Sequence, residues 1–158
     1  MMLPYSEGTV FLVPLRNGGF ARGVVARASN EGKAIFGYFF GPRLSSMSAE
    51  LIEEIHPSSA IMRIMFGDLG LINGEWKIIG TVPNWDRAEW RMPDFVRKDL
   101  LGRRKPILVH YSDDDPLTVE AEYLIDDDSG YEVDSLSGYG AVEIKLTKLL
   151  CPEVTPDE

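Results

Sequence analysis

Between Asp113 and Asp134 the 158-residue chain has no lysine or arginine, while ten aspartates and glutamates fall in the same interval. From residue 113 onward fourteen acidic side chains stand against two lysines, whereas residues 1–112 hold fourteen basic and eleven acidic groups. A nucleic-acid footprint needs clustered lysine and arginine, and a net charge of −9 argues against one. Cysteine is almost as scarce. Cys151 stands alone, which excludes a disulfide framework and makes the cytoplasm the simplest compartment. His56 and His110 are far apart and accompany no cysteine pair, so a zinc site has no support. No apolar run approaches the ~20 residues needed to cross a bilayer. The opening Met1-Met2-Leu3-Pro4-Tyr5-Ser6-Glu7 lacks the basic start, apolar stretch and cleavage site of a secretion signal. The expectation is a cytoplasmic chain without membrane or nucleic-acid partners: one domain over residues 1–150 and a frayed tail over 151–158.

What is present reads as strands. Gly8 to Leu15 is rich in β-branched and aromatic residues, and Asn17-Gly18-Gly19 supplies the reversal into Phe20 to Ala28. Asn30-Glu31-Gly32 then turns the chain into Ala34 to Phe40. Ser48 is placed to cap a short helix over Ala49 to Ile55, stopped by His56-Pro57. Ala60 to Phe66 suits a central strand, and Leu71-Ile72 and Trp76 to Ile79 flank a reversal at Asn73-Gly74. Thr81 to Asp99 predicts an irregular cover packed by Trp85, Trp90 and Phe95. Ile107 to Tyr111 and Val119 to Ile125 are further strands, with aspartate clusters at both ends of the second. The segment from Val142 to Leu150 fits strand or helix, and its Val142, Leu146, Leu149 and Leu150 stripe favours helix. The fold class is therefore α+β, a mainly antiparallel, strongly bent sheet or small partial barrel with a few short helices.

Motifs for catalysis are missing. Gly67-Asp68-Leu69-Gly70 lacks the third glycine and the lysine of a phosphate loop, and no nucleophile elbow occurs. Cys151, beside Pro152 near a loose end and without a local base, reads as a free surface thiol. Asp126-Asp127-Asp128-Ser129-Gly130 places glycine one position early for a calcium loop, and Ser137 stands where the closing glutamate belongs. Neither an enzyme, a metal site nor a cofactor is expected. Trp76 reads as core, whereas Trp85 and Trp90 fit either core or a ligand pocket. Arg103-Arg104-Lys105 reads as a solvated loop.

The acidic belt is then the feature left to explain. Like charges crowded together raise a potential that steers a cationic partner. Asp113, Asp114, Asp115, Asp126, Asp127, Asp128, Glu132 and Asp134 are the candidate partner-binding carboxylates, with Tyr131 and the nearby Tyr139 as aromatic anchors. A solvated face that only keeps the chain soluble is the better account of any one of them alone, and the case for a partner rests on the cluster. A second reading is an acidic, non-catalytic scaffold or accessory module that binds a divalent ion or a cationic ligand.

Gly8-Thr9-Val10-Phe11-Leu12-Val13-Pro14-Leu15, Gly19-Phe20-Ala21-Arg22-Gly23-Val24-Val25, Gly37-Tyr38-Phe39-Phe40-Gly41-Pro42 and Gly74-Glu75-Trp76-Lys77-Ile78-Ile79-Gly80 follow one another in an order that resembles the immunity protein 26 family of bacterial polymorphic toxin systems. Trp85, Met92-Pro93-Asp94-Phe95 and Gly138-Tyr139-Gly140 with Glu143 and Leu146 fall in the same order. The resemblance implies a non-enzymatic cytoplasmic protein that binds and blocks a cognate toxin. It carries over no catalytic residue and leaves the toxin's activity open. A nuclease toxin, whose groove must be positive to hold a polyanion, is the partner that an acidic surface would suit.

Overall fold

The computed structural model describes residues 2–45, 52 and 55–152. Three antiparallel strands open the chain: β1 (Thr9–Pro14), β2 (Phe20–Arg27) and β3 (Ala34–Leu44). The β1–β2 reversal needs positive φ at Gly18 and Gly19, which only glycine adopts without strain. The helix expected over Ala49 to Ile55 falls almost wholly outside the described residues. A 3-10 turn at Pro57–Ser59 leads into β4 (Met62–Gly67), which pairs antiparallel with β3.

Leu71-Ile72 corrects the sequence reading. Instead of extended chain, Leu69–Ile72 forms a single helical turn, α1, in which the Asp68 carbonyl accepts from the amides of Leu71 and Ile72. The turn drops Leu71 into the core and leaves Gly70 against the Trp76 ring, a packing that a two-residue apolar run does not disclose by its periodicity. β5 (Lys77–Thr81) then returns beside β1. After an irregular cover come β6 (Phe95–Arg97), β7 (Ile107–Tyr111), β8 (Val119–Leu124), β9 (Glu132–Val133), β10 (Leu136–Ser137) and α2 (Tyr139–Leu150). The last of these settles the choice between strand and helix in favour of helix.

Two mixed sheets result, ordered β10-β4-β3-β2-β1-β5 and β8-β7-β6-β9. The class is α+β, and among the described residues neither sheet closes into a barrel. β1 to β3 read as nearly continuous apolar runs because the larger sheet is buried on both faces. One face carries Phe11, Val25, Ile35, Phe39, Phe66 and Trp76, packed with Val142 and Leu146 of α2. The other carries Val10, Val24, Phe36, Tyr38 and Phe40, packed with Trp90 of the cover and Phe95 of the smaller sheet. Phe11 stacks on Trp76 with centroids 5.4 Å apart. Its ring also lies across Gly23, where a Cβ would collide with it.

The tryptophans and the cysteine resolve accordingly. Trp76 is core as expected, and Trp90 proves to be core too, edge-on to Tyr38 at 5.1 Å. Cys151 is not a surface thiol. It is buried in the same cluster as Leu146, because its amide continues the α2 ladder to the Thr147 carbonyl.

Candidate functional site

The β7–β8 connection carries the first aspartate cluster. Asp115 shapes it, accepting from the Leu117 amide at 3.0 Å and the Thr118 hydroxyl at 2.7 Å, while the Ser112 amide bonds the Thr118 carbonyl. Asp113 reaches back to the larger sheet, where its Oδ1 lies 3.2 Å from Nε of Arg27. Arg87 donates to the Asp113 carbonyl at 2.7 Å while gripping both carboxylate oxygens of Glu7. Asp114 is left outermost: its side chain is 95% exposed and 4.0 Å from the Arg87 guanidinium.

The other cluster, at the far end of β8, is mostly answered by cations of the same chain. Asp126 pairs with Lys105 at 2.8 Å and Asp128 with Lys98 at 3.3 Å. The Lys105 bond holds the Asp126 carboxyl below its usual range and raises the ammonium. Asp127 accepts from the Ser129 amide at 2.9 Å, which lowers its pKa. Glu132 meets Arg63 at 3.1 Å. Asp134 is largely enclosed, 2.5 Å from Arg97 Nε and 2.8 Å from the Tyr111 hydroxyl. Arg97 also takes Glu122 at 3.1 Å, and its carboxylate and phenol partners raise its pKa. Tyr131 is exposed in the turn before β9.

Seven of the ten belt carboxylates thus lie within 4.0 Å of a lysine or arginine of the same chain. The belt is not the bare anion that its composition implies. Its weakly compensated charge is heaviest at the β7–β8 hairpin, in Asp114, Asp115 and Glu120, with Asp127 standing apart at the far end of β8.

Beside that connection sits a group that spacing did not bring together. His110 Nδ1 is 2.7 Å from Asp94 Oδ1, and Nε2 is 3.5 Å from Glu120. The hydrogen bond to Asp94 is the main cause of a raised imidazole pKa, with the nearby Glu120 and Asp113 charges adding to it. The contact follows from register: Phe95 pairs with Val109, so the residues that precede and follow them become neighbours. At the opposite end, Arg97, Lys98, Leu101, Arg103, Arg104 and Ile107 surround a hollow of about 390 Å³. Among the described residues, no group of three or more His, Cys, Asp or Glu is arranged to hold a metal ion. None of the helices there is long and apolar enough to cross a membrane.

A family model described as Immunity protein 26 matches residues 6–106. No curated protein and no solved structure gives a match. The matched stretch runs from before β1 through β6 and ends one residue short of β7, so the acidic β7–β8 hairpin lies beyond it.

Proposed function

The chain belongs to the immunity protein 26 family, and from that premise we propose that it neutralises a cognate protein toxin by docking an acidic surface against basic groups of that toxin. The role is that of a non-enzymatic inhibitor. The surface is the belt of Asp113, Asp114, Asp115, Asp126, Asp127, Asp128, Tyr131, Glu132 and Asp134, with its weight shifted toward the β7–β8 connection.

One observation carries this reading. Asp114 projects almost fully exposed from a connection that is fixed at its base by the Arg27–Asp113 pair and by the internal bonds of Asp115. A charge held out on a rigid mount steers an oppositely charged partner without first having to be ordered. Asp126, Asp128, Glu132 and Asp134 already have cations, so a toxin lysine or arginine gains less by meeting them. Complementary rim charges act mainly on the association rate and lose effect as salt screens them. A nuclease toxin fits best, because its substrate groove has to be positive.

The test is co-expression with the toxin domain encoded beside this chain's gene. Growth should be restored by the natural chain. An Asp114→Asn, Glu120→Gln double variant should associate more slowly at low ionic strength and differ little at high salt. Equal association rates at both salt concentrations would refute the electrostatic part, and absence of rescue would refute the immunity role.

A further inference from the structure

We propose that the free edge of β8 is a docking strand, onto which the toxin lays an extended segment bearing lysine or arginine as an added strand. This rests on the immunity reading above and specifies the contact. Among the described residues β8 ends the smaller sheet, and five of its six residues are exposed. The Ile125 amide bonds the Pro106 carbonyl, so the antiparallel alternation points the backbone groups of Glu122 and Leu124 away from β7. Among the described residues the other sheet ends offer less. β9 and β10 have two residues each, and the middle three residues of β5 are partly covered.

The chemistry of the edge selects its occupant. Natural edges are commonly blunted by charge, proline or a bulge; Val119-Glu120-Ala121-Glu122-Tyr123-Leu124 has no lysine or proline, and its bulge falls at Glu120, ahead of the outward groups of Glu122 and Leu124. Of its own two glutamates Glu122 is held by Arg97, so the charges left to meet a cationic strand are Glu120, with Asp114 and Asp115 before it and Asp127 after it. A second copy of β8 would bring four glutamates to one seam, and like charges facing across strands are destabilising. A cationic strand meets the opposite condition. Main-chain bonds to an added strand supply affinity, and the side chains alongside supply specificity. Tyr123 and Leu124, 55% and 72% exposed, stand on opposite faces of β8 to pack against apolar residues of that segment.

Amide exchange on the unsubstituted chain, free and with a catalytically inert form of the toxin domain encoded beside its gene, reads the contact directly. The Glu122 and Leu124 amides should slow by about tenfold or more in the complex. Glu122→Pro removes an outward donor and leaves the β7 ladder intact, so it should weaken binding about tenfold through loss of that bond and its register, while Glu122→Gln, which also gives up the exposed pair with Arg97 but keeps the amide, should bind like the natural chain to within about threefold. Tight binding with unaltered exchange in β8 overturns the proposal while leaving the immunity role standing, and so does a folded Glu122→Pro variant that binds like the natural chain. Should that variant fail to fold, exchange in the natural chain decides. Concentration-dependent protection of β8 in the chain alone would assign the edge to a second copy and overturn the proposal. Failure of the toxin domain to bind at all removes both readings together.

Discussion

The guanidinium of Arg27 is buried, with 3% of its side chain exposed, and the carboxylate that answers its charge, Asp113, lies 3.2 Å away and is 58% exposed. Its remaining donors go to the carbonyls of Ala26, Arg87 and Trp90. A buried cation on β2 is therefore neutralised from the turn of the other sheet. Asp113→Asn keeps the shape and removes the charge, and should destabilise the fold by about 1–3 kcal/mol, toward the lower end because the carboxylate is half in water. A lowered urea midpoint with an unchanged slope would be the signature.

Asp114, one residue on, should behave in the opposite way. It shares only a 4.0 Å approach with Arg87, and its amide bonds Ser112 Oγ whatever its side chain. Asp114→Asn should leave stability within about 0.5 kcal/mol. Stopped-flow association with the toxin domain should slow at low ionic strength. The pair of variants separates a carboxylate that holds the scaffold from one proposed to face a partner.

His110 predicts a pH dependence. Its folded pKa is raised above the ordinary 6.5, chiefly by the hydrogen bond to Asp94, so the charged imidazole favours the folded state. That contribution is fully present below about pH 6.5 and is lost as pH rises through the higher folded value. His110→Gln should therefore lower the melting temperature more at about pH 5.5 than at about pH 8.5. A difference independent of pH would remove the ion pair from the account.

Glu143 of α2 accepts from the buried Trp76 indole at 2.9 Å and pairs with Arg16 at 3.3 Å. Glu143→Leu leaves an indole N–H without an acceptor in the core and should cost about 1–3 kcal/mol. Glu143→Gln retains an acceptor and should cost less. Thermal melts followed by tryptophan emission would rank the two variants.

The strands were legible because glycine and asparagine punctuate them: Asn17-Gly18-Gly19 and Asn30-Glu31-Gly32 bound runs whose β-branched and aromatic content leaves few alternatives. α2 was legible as a stripe. Leu71 was not, since a single helical turn is too short to express a period. Cys151 was misread because its neighbours looked like the start of a loose end, whereas burial is decided by what α2 packs against.

The candidate surface was legible only as a count of charges. Its counter-ions lie elsewhere in the chain: Arg27 is 86 residues from Asp113, and Arg63 is 69 from Glu132. No local pattern connects such pairs, because each joins a strand of the larger sheet to a segment of the smaller one. The cations were in plain view in the segment before the belt, but their destination depends on tertiary contacts.

Residues 132–137 run first along β6 and then along β4, in parallel with each, so one short stretch joins the margins of both sheets. Only Asp134 and Ser135 separate the two engagements, so Val133 and Leu136 lie at most about 10 Å apart at full extension, and Asp134 is itself bonded through its amide to Val96 and through its carboxylate to Arg97. Like a basting stitch, it leaves the layers no room to slide. The hairpin on the smaller sheet consequently keeps a constant attitude toward the larger one, and a toxin that docks there as proposed would meet a mould already set rather than one that has to be shaped around it.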